Sequence, residues 1–173
     1  MKSVFMHKLL ILTAASLAAI PPAAGAQAAV GPEASACRAS AGQSAILVNV
    51  TGLRRPTGFL RVQVHGDDAA TWLGDKTHLK RIEVPVTATN MPVCVRVPGP
   101  GRYAVAVRHD EDGDRKLTRR DGGGFSGNPR LSVVNLRPSY QQSAFVVPEA
   151  GVKRVNVVLN YLFGLSIRPV GRS

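Results

Sequence analysis

The sequence predicts an all-β protein, a single antiparallel β-sandwich of immunoglobulin-like or transthyretin-like type with about seven strands. Three observations predict it. Apolar residues recur at every second position in short runs, as in Leu60, Val62 and Val64 or Tyr103, Val105 and Val107, the period at which side chains share one face of a strand. Glycine and proline clusters such as Pro98-Gly99-Pro100-Gly101 punctuate those runs. None of the runs reads as a long amphipathic helix.

The chain opens differently. Lys2, His7 and Lys8 precede an apolar run over 9–20, followed by Pro21-Pro22 and the small-x-small triplet Ala26-Gln27-Ala28. This is the pattern of a secretory signal peptide over 1–28, cleaved after Ala28; the run is shorter than the ~18 residues of a membrane span. The expected protein is therefore periplasmic or secreted, with no transmembrane helix in its mature chain. A flexible leader over 29–44, a sandwich over 45–165 and a tail over 166–173 follow.

Export bears on the two cysteines. An oxidising compartment predicts a Cys37–Cys94 disulfide that pins the leader to the domain. Lipidation of Cys37 is the weaker reading, because the residue lies far beyond the apolar run and Cys94 would be left alone. Setting Lys2 and Lys8 aside from the 22 basic residues leaves 20 against 11 acidic ones, a net charge near +9. Such a field favours anionic envelope lipid or polysaccharide. No nucleic-acid partner is expected, because aromatics are 5% of the chain and pairs such as Arg54-Arg55 and Arg119-Arg120 lack an aromatic stacking platform.

Ile46, Val48 and Val50 mark the first strand, and the Gly-, Pro- and Arg-containing stretch 51–58 a loop. Leu60, Val62 and Val64 alternate with Arg61, Gln63 and His65, a strand with one face in water. Residues 66–77 read as a loop or short helix, with Trp72 plugging the open end of the core. Ile82, Val84 and Val86 form a third strand, placed at an edge by Pro85. Val93, Val95 and Val97 form a fourth, expected to make a hairpin with the Tyr103 strand. Short strands are expected at 131–136 and 143–147, and a long central one over 154–163.

The Tyr103 strand ends at His109, and carboxylates begin there. Asp110, Asp112 and Asp114 stand at positions one, three and five of a calcium loop, the Lys116 carbonyl at seven, apolar Leu117 at eight and Asp121 at twelve. A weak Ca2+ site is expected at Asp110, Asp112, Asp114, Lys116 and Asp121. It is weak because Arg115 replaces the sharp-turn glycine of position six, and because Arg115, Lys116, Arg119 and Arg120 nearly cancel the acidic charge. The competing reading is a structural turn, its aspartates bonded to the loop's own N–H groups and arginines. His109, Phe125 and Ser126 are expected to anchor the loop. A hydrolase using His109 and Ser126 ranks last, since there is no Gly-x-Ser-x-Gly elbow and no zinc-ligand spacing.

Gly101, Tyr103 and Ala104, then His109, Asp110, Asp112 and Asp114, then Gly124-Phe125-Ser126 resemble the pattern of the domain of unknown function 2141 family of exported bacterial proteins. The resemblance covers about 46–165 and departs from the family at 118–123, where a longer Pro- and Glu-containing link is usual. It implies an exported β-sandwich and nothing about catalysis. The expected function is a non-catalytic binding or structural module of the cell envelope with a weak calcium-type loop. The alternative is a basic adhesion protein that binds anionic lipid or polysaccharide.

Overall fold

A computed structural model describes residues 27–38 and 43–171, so the signal-peptide reading of 1–28 lies almost wholly outside the described residues. No helix among the described residues is long and apolar enough to cross a membrane. Two sheets face each other. The smaller has β1 (Ser44–Thr51) at its centre, between β4 (Met91–Arg96), which runs antiparallel to it, and β8 (Gly151–Val158), which runs parallel. The larger runs in the order β10 (Ser166–Pro169), β9 (Asn160–Phe163), β6 (Gly122–Phe125), β5 (Gly101–Asp110), β2 (Phe59–His65) and β3 (Lys80–Pro85). A short β7 (Phe145–Val147) pairs with the first residues of β5.

The two-residue period builds the core. Ile46, Val48, Val50, Val93, Val95, Val155 and Val157 from the smaller sheet pack against Leu60, Val62, Val64, Val105 and Val107 from the larger. Each such side chain, fully buried, contributes about 1.5–3 kcal/mol. β3 is an edge strand, where Pro85 costs no ladder bond.

A second, smaller cluster covers the outer face of the smaller sheet. Leu47 and Cys94 are cross-strand partners there, and a 3-10 turn over Ala34–Cys37 lies on them, closed by the Cys37–Cys94 disulfide with Cα atoms 5.9 Å apart. The leader is more than a tether held at Cys37. Val30 bridges Val93, donating to the Pro92 carbonyl at 2.8 Å, and the Glu33 carboxylate accepts the Arg96 N–H at 2.8 Å and pairs with Lys80 at 2.6 Å.

Several expected elements differ, each for a physical reason. β4 and β5 form no hairpin but lie in opposite sheets, because Pro98 and Pro100 have no N–H with which to start a ladder. The expected strand over 154–163 breaks at Leu159 into β8 and β9, one in each sheet; β8 lies at an edge and β9 between β10 and β6. Apolar alternation persists across the break because both halves face one core, with Leu159 and Tyr161 buried like Val155 and Val157. The expected strand at 131–136 is only a turn in which Ser132 and Asn135 exchange backbone bonds. Tyr140–Ser143 is a helical turn, α1, before β7. The expected tail supplies β10, which returns along β9 after the turn at Gly164, whose φ is 61°. Trp72 covers the outer face of the larger sheet, edge-on to His65 at 4.9 Å and to Phe125 at 6.0 Å, with its N–H bonded to the Pro138 carbonyl at 2.8 Å.

Candidate metal centre

β5 delivers Asp110 from the sheet into the loop over 111–121, and the loop returns as β6. Asp110, Asp112 and Asp114 each bring a carboxylate oxygen to within 4.8 Å of the others, Asp110 buried and the other two exposed. Turn chemistry shapes the loop. Asp112 Oδ1 accepts the Asp114 N–H at 3.3 Å, Asp114 Oδ1 accepts the Lys116 N–H at 2.7 Å, and Asp110 Oδ2 accepts the Arg115 N–H at 2.9 Å. Gly113 and Arg115 have φ of 73° and 64°. The sharp turn of a calcium loop is thus made at position six without glycine, a conformation that costs a residue with a side chain about 1–2 kcal/mol.

Asp110 is the unusual member. Its Oδ2 also accepts from the Arg108 guanidinium at 3.2 Å, whereas its Oδ1 is buried with no hydrogen-bond partner. Asp121 stands apart from the cluster. It accepts the Thr118 N–H at 3.0 Å and the Thr118 hydroxyl at 3.3 Å, and lies 3.9 Å from Arg108 Nε. Three of the four expected carboxylates come together, and Lys116 joins them through its N–H.

The expected charge cancellation takes another form. Arg115, Lys116, Arg119 and Arg120 make no ion pairs among the described residues; Arg54, Arg55 and Arg108, from other elements, hold Glu111, Asp110 and Asp121. Arg54 pairs with Glu111 at 2.6 Å, donates to the Arg120 carbonyl at 2.8 Å and lies 4.7 Å from the centre of the Tyr161 ring. Both ends of the loop are therefore tied to residues 54–57.

His109 and Tyr161 lie beneath this frame. His109 Nε2 is 2.8 Å from the Thr57 carbonyl, which only accepts, so that nitrogen carries the proton and Nδ1 accepts from the Tyr161 hydroxyl at 2.6 Å. The same hydroxyl accepts the Arg54 N–H at 3.0 Å. Burial pushes the Tyr161 phenol up to about 12. Ser126 is equally committed, accepting the Val105 N–H at 2.9 Å and donating to the Ser143 carbonyl at 2.5 Å. His109 and Ser126 do not bond each other: Ser126 is held at Val105, four residues before His109 on β5, about 13 Å along the strand. They do not form a nucleophile–base pair. Phe125 stacks edge-on against Trp72.

Sequence reasoning passed over Arg54, Arg108 and Tyr161. The available signal was Tyr161 at a core position, since a buried phenol needs a hydrogen-bond partner.

The residues of the Gly-x-Tyr-Ala, His-Asp and Gly-Phe-Ser pattern thus occupy β5, its loop, the end of β6 and the residue that follows it. A family model described as an uncharacterized protein conserved in bacteria, DUF2141, matches residues 48–156. The chain belongs to the DUF2141 family. The DUF2141 match begins within β1 and ends within β8, so it takes in parts of both sheets and the whole acidic loop, while β9 and β10 lie beyond it. No curated protein and no solved structure matches the chain.

Proposed function

We propose that this DUF2141 protein is a non-catalytic binding module of the bacterial envelope whose β5–β6 loop takes up calcium weakly through Asp110, Asp112 and Asp114. One observation carries the reading: Asp110 Oδ1 is buried and unpartnered beside two exposed carboxylates. A buried acceptor left unmet costs about 1–3 kcal/mol, more when charged, and a cation at that point removes the cost. An all-oxygen donor set suits a hard cation. Three carboxylates supply only part of the 6–8 oxygens calcium takes, so the dissociation constant belongs in the ~10⁻⁴–10⁻³ M range of extracellular modules.

Thermal melting tests it. Calcium at about ten times its dissociation constant adds roughly 1.4 kcal/mol to the folded state, a rise of a few degrees. Asp112→Asn combined with Asp114→Asn removes the rise and leaves the calcium-free melting point near wild type, because both side chains are exposed. Asp121→Asn lowers the starting stability through Thr118 yet keeps the calcium response. A wild-type curve unmoved by calcium at about 10 mM, above that range, ends the proposal. Adhesion to anionic lipid or polysaccharide is the second reading, favoured by Arg115, Lys116, Arg119 and Arg120 on one loop, which make no ion pair among the described residues; it is distinguished by loss of binding as salt rises.

A further inference from the structure

Where the chain crosses from β8 to β9 a cleft of about 690 Å³ opens, within the ~300–1,000 Å³ of small-molecule sites. Thr51 at the end of β1, Val158 of β8 and Asn160 of β9 line it, together with the turn over 128–131 and β10. Arg130 and Arg168 are its only charged residues, so the lining carries two positive charges and no carboxylate. None of its residues belongs to the loop over 110–121.

Neither arginine makes an ion pair among the described residues, unlike Arg108, which Asp110 and Asp121 hold. Arg168 is half-buried, and its guanidinium lies over the Phe163 ring at 4.3 Å. An arginine steadied by a ring face keeps its N–H groups for an oxyanion. The neighbouring backbone is closed to a peptide. Asn128 donates to the Asn156 carbonyl at 3.0 Å and accepts the Val158 N–H at 2.7 Å, which caps the edge of β8. β10 is four residues long and ends in Pro169, which has no N–H, so it offers a peptide little ladder to extend.

We infer that this cleft binds a phosphate monoester, its phosphoryl group held by Arg130 and Arg168 and its alcohol half beside Thr51 and Asn160. Two guanidinium groups without a carboxylate balance a dianion, and arginine bonds phosphate oxygens two at a time. A carboxylate or a phosphate diester, each a monoanion, leaves one of the two charges unmet. The inference goes beyond the calcium reading and shares no residue with it. It also differs from adhesion through Arg115, Lys116, Arg119 and Arg120, which asks only for an anionic surface.

The test is calorimetric titration of the purified protein with glycerol 3-phosphate, at fixed ionic strength and with EDTA present so that calcium plays no part. At pH ~8 the ester, with a second pKa of about 6, is a dianion. Saturable one-to-one binding is expected, with dimethyl phosphate, a monoanion, at least roughly tenfold weaker. Arg130→Gln and Arg168→Gln each weaken the ester roughly tenfold, the worth of a charge-assisted hydrogen bond. Arg130 is exposed, so that variant folds like wild type, and an unaltered melting curve verifies it. The Arg119→Gln, Arg120→Gln variant loses more charge elsewhere and binds like wild type, as does Asp112→Asn, Asp114→Asn. Vesicles separate the sources. Retention by phosphatidic acid but not by phosphatidylglycerol, lost in Arg130→Gln, assigns the ester to a lipid headgroup; binding of glycerol 3-phosphate without retention assigns it to a free small molecule. Neither saturable binding up to about 10 mM nor such retention overturns the inference. Equal binding of dimethyl phosphate overturns it too, as does a loss as large in Arg119→Gln, Arg120→Gln as in Arg130→Gln, which would leave only a general attraction to anions.

Discussion

Tyr161 joins three parts of the molecule through one oxygen. Its hydroxyl donates to His109 Nδ1 and accepts the Arg54 N–H, and its ring lies under the Arg54 guanidinium, so strand β5, the loop over 51–58 and strand β9 meet there. Tyr161→Phe leaves a buried ring nitrogen and a backbone N–H unmet. The expected loss is about 2–3 kcal/mol in urea unfolding at neutral pH. The phenol's folded-state pKa, near 12, is raised above its ordinary value near 10. Its contribution is therefore fully present below pH ~10 and disappears as pH rises through ~12, a further ~2–3 kcal/mol over that window. Wild type should lose stability steeply there and Tyr161→Phe should lose it less; parallel curves, or equal stability at pH 7, refute the assignment. Sequence shows the ingredients of this junction but not the meeting. Tyr161 and His109 each fall at core positions of an apolar alternation, and nothing in a two-residue period says that one hydroxyl spans the two strands.

β6 is the element whose sequence looks least like a strand. Gly122-Gly123-Gly124 gives up backbone entropy and offers no side chains, yet it lies between β5 and β9 in the larger sheet. Close approach explains it. A Cβ on Gly124 would sit 2.7 Å from the Val158 carbonyl and 2.8 Å from Val157 Cγ1, whereas one on Gly123 meets nothing nearer than 3.9 Å. Gly124→Ala should therefore cost about 1–3 kcal/mol, and Gly123→Ala should be neutral or stabilise by up to about 1 kcal/mol. Urea midpoints for the two variants decide it, and equal values would mean that β6 is not wedged against β8. The strands that alternate by themselves, β1 to β5, are legible in the sequence because one face is apolar and the other polar or covered. The sheet change at Leu159 is not, since both halves of the run point into the same core. The acidic loop is legible as a spacing of aspartates. Its departure from that spacing at Asp121 is not, because the Thr118 N–H is a local competitor for the carboxylate.

Across the whole molecule, the disulfide and the acidic loop act on different parts. Cys37 and Cys94 belong to a small cluster on the outer face of the smaller sheet, while the main core is built without them. The bridge closes a sequence separation of 57 residues, for which chain entropy gives about 4 kcal/mol as an upper value. Val30 and Glu33 hold the same segment by their own bonds, so the segment retains some hold on β4 when the bridge is cut. Replacing both cysteines by serine should then cost about 2–4 kcal/mol in urea while leaving a single cooperative transition. The calcium response should survive unchanged, because neither the disulfide nor its covering turn touches the loop over 110–121, and distant sites add independently. A double variant with the wild-type midpoint would show that the N-terminal segment contributes nothing to folding. One that loses its cooperative transition would show that the smaller sheet depends on its outer cover as much as on the core between the sheets.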